Sequence, residues 1–369
     1  MEPVLQCLLE PGQQVNRLRF SPCGRLLAGT TLEGTVLRWD LGAPPVPDAA
    51  AVKALAQNPK AKVPEPSAPP ALPIVRGHRG FATGLAFHPF RDLAFSADSW
   101  GCLRAWPCLA LESRPLWEVP AAHDGWIRDL AVGPGGDWLV TGGRDGKVRI
   151  HDSATGGLLR ELALPDGSEI FAVAAHPSEP WVVAGGLFGR IALWNALDGR
   201  LVREFDGSVF HLLHRLQDIG GLRCLGFADA GRTLFASGTK PKGGGNVNGH
   251  ARLCLFDTAS GALRHEMEVG ELDKDIFAHE AAEAPGGLFL VPTTGQPGSG
   301  NFFGLRPGEP EPVFKFNKGT VNCHSVALSP DGLRCAVAAT NTGSNGNGRR
   351  LVDGKYPGNF SPLHIFQLI

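Results

Sequence analysis

A chain of 369 residues with a formal net charge of -1 has no overall basic field, which sets aside nucleic-acid phosphates and acidic lipid surfaces as general partners. Its 49 glycines and 30 prolines cut the sequence into short apolar runs, none near the roughly 18 apolar residues that a membrane helix needs. The eight cysteines include no Cys-x-x-Cys pair and read as reduced packing residues. No Lys or Arg precedes the short apolar part of the first twelve residues, so no secretion signal is read there and a cytoplasmic location is expected.

The first element is an apolar run at Val4–Leu9. A unit then begins and recurs down the chain: an apolar strand, a short turn, a second apolar strand, a hairpin and an alternating third strand. The turns are Ser21-Pro22-Cys23-Gly24, His88-Pro89, Gly133-Pro134-Gly135-Gly136, His176-Pro177, Ala228-Asp229-Ala230-Gly231, Ala284-Pro285-Gly286-Gly287 and Ser329-Pro330-Asp331-Gly332. Six of the seven carry Pro second, where its fixed φ suits a type I or II turn. Third strands follow Glu33-Gly34, Asp145-Gly146 and Phe188-Gly189, and Asp-Gly between strands is a strong hairpin signal. Fourth strands are expected at Leu158–Leu164, Leu201–Phe205, Ala262–Val269 and Pro312–Phe316.

Stretches 42–71, 207–217, 239–249 and 341–362 read as insertions. Without them the seven units average about 42 residues, the size of a four-stranded blade. Segment 42–71, rich in Ala and Pro, is expected as an extended loop between the third and fourth strands of the first unit. The last unit ends in the third-strand position at Leu363–Leu368. Val4–Leu9 is expected to supply its fourth strand, which joins the two ends of the chain and removes open sheet edges.

Val36-Leu37-Arg38-Trp39-Asp40, Ile191-Ala192-Leu193-Trp194-Asn195 and Leu253-Cys254-Leu255-Phe256-Asp257 resemble the third strands of WD repeats, and Gly77-His78 and Ala122-His123 resemble the pair that opens them. The chain as a whole resembles the WD-repeat β-propeller family, in particular its bacterial members with degenerate repeats. That resemblance implies an all-β, seven-bladed β-propeller of four-stranded antiparallel blades, with residues 1–369 as one domain. It also implies a scaffold or adaptor without cofactor. The family's set of hydrogen-bonded His, Ser/Thr, Asp and Trp reads as incomplete in every unit. His123, Thr141 and Asp145 meet His151 where Trp is expected, and His78, Ser96 and Trp106 have Trp100 in place of the turn Asp. Apolar packing between sheets is therefore expected to hold the blades.

Counting back from each turn's second residue, apolar or small residues fall two, four and seven places before it. A spacing of three within a strand implies a β-bulge. The residue six places back is then turned toward the channel mouth: Asn16, Thr83, Arg128, Phe171, Arg223, His279 and His324. Phe81 and Trp126, eight places back, are expected on the same rim. The hairpins between second and third strands become Gly/Asn-rich in the last three units, and Lys240, Lys242, Arg349, Arg350 and Lys355 make that sector basic. Ring and loops are candidates for partner contact, since Trp and Arg anchor many interfaces and loops on rigid scaffolds carry recognition.

Chemistry-bearing motifs are sparse. Gly146-Lys147 lacks the rest of a phosphate loop, and His279-Glu280 lacks the second His of a helical zinc motif. His211 and His214 with Asp218 offer only a weak metal set. His279, His324 and Glu280 are the nearest approach to an acid–base cluster. The reading is a monomeric, non-catalytic scaffold that binds another protein through the face with the long hairpins. The alternative is an enzyme or small-ligand binder at the channel mouth. A closed pocket lined by groups of displaced acidity would favour that alternative, and a wide solvent channel would favour the scaffold.

Overall fold

The computed structural model describes residues 2–47, 66–109, 111–112, 114–243, 248–295, 299–340 and 360–369. Seven antiparallel sheets follow one another along the chain and form the blades of a closed ring. The first blade carries Val15–Phe20, Leu26–Thr31 and Val36–Asp40. Its outer edge is irregular: residues 71–75 meet the third strand through isolated bridges, Val36 to Val75 and Trp39 to Ala71. Pro70 and Pro73 have no N–H to give a regular ladder. Val46–Pro47 and Pro66–Ala68 pair at the base of the 42–71 insertion, whose residues 48–65 lie outside the described set.

Blades two to five are four-stranded and run inner to outer in chain order. The sixth has an inner strand in two pieces, Asp275–Ala278 and Ala282–Ala284, both paired with Leu288–Gly295. In the seventh, Leu363–Leu368 pairs on one side with Arg334–Ala338 and on the other with Pro3–Leu9, so the two ends of the chain share a sheet as expected. The stretch at 207–217, expected as plain insertion, forms a 3-10 turn at Ser208–Phe210 and a small hairpin of His211–His214 with Gln217–Gly220, anchored by the fully buried Phe210. The two ends of the 239–249 stretch are likewise built as strand: Thr233–Lys242 and Asn248–Asp257 pair out to Lys242 opposite Asn248.

The core is divided into seven apolar clusters, each shared by two adjacent blades. Val15, Leu18 and Trp39 of the first blade meet Ala336 and Ile365 of the seventh; Leu288 and Phe302 of the sixth meet Val337 and Phe366 of the seventh. The other five clusters fill the remaining joints of the ring. Burial of this kind, at about 25 cal/mol per Å² of apolar surface, is the main force between blades. All eight cysteines are free, and burial pushes the thiols of Cys102 up to about 11 and of Cys254 and Cys323 up to about 12. No helix among the described residues is long and apolar enough to cross a membrane.

Polar clamps add to the packing, and one differs from the sequence expectation. The second blade has a complete set. His78 Nδ1 donates to Asp98 Oδ2 at 3.0 Å, Ser96 Oγ donates to His78 Nε2 at 2.7 Å, and the Trp106 indole N–H donates to Ser96 Oγ at 3.1 Å. Asp98 sits two residues before the position read as vacant, and its Oδ1 also accepts the N–H groups of Trp100 and Cys102. The third blade holds His123 between Asp145 at 2.9 Å and Thr141 at 2.8 Å, with His151 in the indole's place. Among the described residues, the cluster with metal-ligand geometry is His78, Asp98 and Cys102, and the histidine and carboxylate there already serve this clamp. His211 pairs with Asp218 at 2.7 Å, and His214 is not part of that pair.

Candidate interaction site at the channel mouth

The register of the inner strands turns the rim residues inward. The pairing slips by one residue at Asn16, Thr83, Arg128, Phe171 and Arg223, between Val15 and Arg17 in the first blade and at the equivalent place through the fifth. These are five of the seven bulges expected from the turn count. In the sixth blade the slip falls at Ile276 instead, and a further residue is accommodated between Ala278 and Ala282. In the seventh the ladder from Ser325 to Leu328 is regular, and His324 donates its N–H to Ala338 just outside it.

Despite those two differences, all seven rim residues line one cavity of about 450 Å³, together with Gln14, Leu32, Trp126, Glu280 and Thr340. The Arg144 N–H bonds the Trp126 carbonyl, so the tight hairpin of the third blade lies at this same end. A second cavity of about 460 Å³, lined by Pro22, Pro89, Pro134 and Pro177 of the turns, opens at the other end. Arg17 and Glu280 line both cavities, and ion pairs cross the channel there. Arg17 of the first blade pairs with Asp129 of the third and reaches Glu280 of the sixth at 3.4 Å; Arg19 reaches Glu280 at 2.8 Å. Glu280 Oε2 also accepts from Ser325 Oγ at 2.5 Å and from the Val326 N–H at 3.0 Å. Burial pushes its carboxyl up, but Arg19 and Arg17 overcome this and hold it below the ordinary range.

Aromatic and cationic groups alternate along the mouth. Phe81 packs edge-on to Trp126 with ring centres 5.6 Å apart. The Arg128 guanidinium lies 4.7 Å from the ring centre of Trp126 and 4.7 Å from that of Phe171. Arg223 follows between Phe171, at 5.4 Å, and Phe277, at 5.2 Å, and Phe277 stacks on His279 with centres 5.5 Å apart. The row thus runs over five blades. Such stacking contributes about 0.5–2 kcal/mol per contact. Phe81 is 42% exposed, so one end of the row is open to the surface.

Several rim groups also tie neighbouring blades together. Asn16 Nδ2 donates to the Ala82 carbonyl at 3.2 Å, and Thr83 Oγ1 donates to the Ile127 carbonyl at 2.5 Å. Arg128 donates to Glu169 at 2.7 Å, and His324 Nε2 bonds the Val15 carbonyl at 2.7 Å. Thr83 is buried, with its hydroxyl committed to this bond. Arg223 differs: Nη1 donates to its neighbour's Leu222 carbonyl at 2.9 Å, and no carboxylate pairs with it among the described residues. Burial, then the like charge of Arg128, lower its pKa to about 10. Burial, then Arg223 and His324, lower that of His279 to about 3, and its Nε2 lies 3.1 Å from Thr294 Oγ1.

The basic sector is only partly as expected. Lys240 pairs with Glu266 at 3.7 Å and Lys242 with Asp273 at 3.0 Å, and neither lines the cavity. Arg349, Arg350 and Lys355 lie outside the described residues. The cross-channel ion pairs escaped the sequence reading; their one signal was a charge at the position after the rim residue, as in Arg17, Asp129 and Glu280.

Fold and mouth together define the class: a seven-bladed β-propeller with a polar and aromatic channel entrance. Residues 114–152, which run from the outer strand of the second blade through the first three strands of the third, match the family model for the WD domain, G-beta repeat. The chain is thus a seven-bladed β-propeller that carries a match to the WD repeat. It is 32% identical over 107 residues to ASTRA-associated protein 1 of Verticillium alfalfae, 28% of this chain and 26% of that protein. It is 46% identical over 43 residues to pleiotropic regulator 1 of Homo sapiens, 12% of this chain and 8% of that protein. It is 43% identical over 51 residues to ribosome biogenesis protein erb1 of Botryotinia fuckeliana, 14% of this chain and 7% of that protein. The chain thus spans a small part of the curated relatives it matches.

Proposed function

We propose that the protein is a non-catalytic scaffold that seats another protein on the face bearing the channel mouth and the long hairpins. The observation that supports this most is the row from Phe81 to His279, in which aromatic and arginine side chains are held in fixed positions on the bulges of a rigid ring. Preordered groups of these types supply binding energy at little entropic cost. The relatives' names refer to a pleiotropic regulator and to ribosome biogenesis, which supports work within protein assemblies here too. Part of the same proposal is that residues 1–369 act as one monomeric domain, without cofactor, in the cytoplasm.

A small-ligand binder is the second reading. Arg223 and His279 line the cavity and are displaced in acidity, one of the features expected to favour it, and ion pairs cross the channel. Acid–base catalysis has less support from the same groups. Glu280 is committed to Arg17, Arg19 and Ser325, and His279 stacks on Phe277 beside Thr294.

Affinity capture from the protein's own cell extract tests the scaffold reading. The double substitution Trp126→Ala and Arg128→Ala should abolish capture while the circular-dichroism spectrum and melting profile stay those of a folded ring. Undiminished capture by the double variant would overturn it.

A further inference from the structure

We propose that the channel-mouth cavity receives a carboxylate carried on an acidic side chain of the partner, with the Arg223 guanidinium as its counter-ion. This rests on the reading of the mouth as the contact face. Three observations carry it.

The first is charge. The other arginines at the channel are compensated: Arg17 by Asp129 and Glu280, Arg19 by Glu280, Arg128 by Glu169. Arg223 has no carboxylate among the described residues, and the charge acting on it is the like charge of Arg128. It remains a cation at neutral pH. A partly buried, unmatched cation weakens the fold unless something outside the chain matches it.

The second is geometry. Phe171 and Phe277 stand over Arg223 as ring neighbours, and one of its five N–H groups is spent on the Leu222 carbonyl. Four N–H groups along the edge of the guanidinium remain for other acceptors. A planar pair of oxygens suits that edge, and a carboxylate has this shape.

The third is setting. The cavity of about 450 Å³ has room for an acidic side chain and its flanking main chain, with Asn16, Gln14 and Thr340 as neutral polar lining. From Arg223 the row continues through Phe171, Arg128 and Trp126 to the exposed Phe81, a track leading out of the cavity onto the surface. A free anion would use only the inner end of that track, whereas a chain would use its length.

The test uses the full-length purified protein and two pools of blocked hexapeptides with randomised flanks, one with a central Glu and the other with a central Gln. Succinate and inorganic phosphate serve as free-anion probes, and apparent affinity is read by calorimetry and thermal shift. The Glu pool should bind at least about tenfold more tightly than the Gln pool and than either free anion. Arg223→Met, which keeps the stacked volume, should melt no lower than the parent and bind the Glu pool at least about tenfold more weakly. Arg223→Lys, which keeps the charge without the planar fork, should also weaken it. Equal binding of both pools, unchanged Glu binding in both variants, or succinate or phosphate binding as tightly as the Glu pool would each overturn the proposal. If the pools do not differ while Trp126→Ala with Arg128→Ala still abolishes partner capture, the carboxylate assignment fails and the contact face stands.

Discussion

Arg17 in the first blade and Asp129 in the third pair across the central channel, joining two blades that are not neighbours. Asp129 also accepts the Val173 N–H of the fourth blade at 3.0 Å, so one carboxylate touches three blades. Removing it leaves Arg17 to share Glu280 with Arg19 and leaves the Val173 N–H without its acceptor. Asp129→Ala should cost about 3–5 kcal/mol, the usual penalty for breaking a buried pair from one side. Urea denaturation of the variant measures this.

Acid should destabilise the ring in two stages. His151 and His364 are buried, and burial lowers each pKa from 6.5 to about 4. The unfolded chain therefore takes up protons near pH 6.5 that the folded chain refuses. Stability is full above pH 6.5 and falls toward pH 4, by up to about 3 kcal/mol per ring. A second loss follows from Asp145. Burial pushes its carboxyl up, but His123 and Arg149 overcome this and hold it at about 2. Its contribution, present above about pH 4, is lost as pH falls toward 2. Denaturant midpoints measured from pH 7.5 down to 3 should show the first loss begin near 6.5; a flat profile from 7 to 4.5 would contradict it.

Gly101 and Gly125 separate two roles of glycine. Both have positive φ, at 85° and 92°. A Cβ at Gly101 would overlap the His123 carbonyl oxygen and come within 2.9 Å of the Gly125 carbonyl oxygen, in the next blade's entry loop, whereas nothing lies within 4 Å of one at Gly125. Gly125→Ala should cost only the left-handed backbone, about 1–2 kcal/mol. Gly101→Ala should cost a further 1–3 kcal/mol for crowding between blades. Thermal melts of the two single variants decide this.

Ring closure rests on Pro3–Leu9, whose Leu9 is buried against the first blade's core. Leu9→Ala should cost about 2–5 kcal/mol. Deleting residues 2–9 should expose the edge of Leu363–Leu368 and yield aggregates, visible in size-exclusion chromatography with light scattering.

What could be read from the sequence was set by local rules. Seven short turns, six of them with a second Pro, set the blade count, and one residue of extra strand length placed the bulges at Asn16, Thr83, Arg128, Phe171 and Arg223. The count failed at Ile276 because the sixth inner strand holds two irregularities, and a single spacing cannot apportion them. Asp98 was missed because it reaches His78 from the strand end rather than from the hairpin position held by Trp100. The Arg17, Asp129 and Glu280 contacts join residues far apart in the chain, and no periodic pattern encodes them. Arg223 was legible as a rim residue, but its lack of a carboxylate emerges only in three dimensions.

The central claim is that the partner sits on the mouth face. A photo-crosslinking residue at Phe81, on that rim, or at Phe90, 77% exposed in the turn after the inner strand at the other end, separates the two faces directly. Irradiation in cell extract should give a partner adduct from position 81 and none from position 90. An adduct from position 90 with none from 81 would contradict the account.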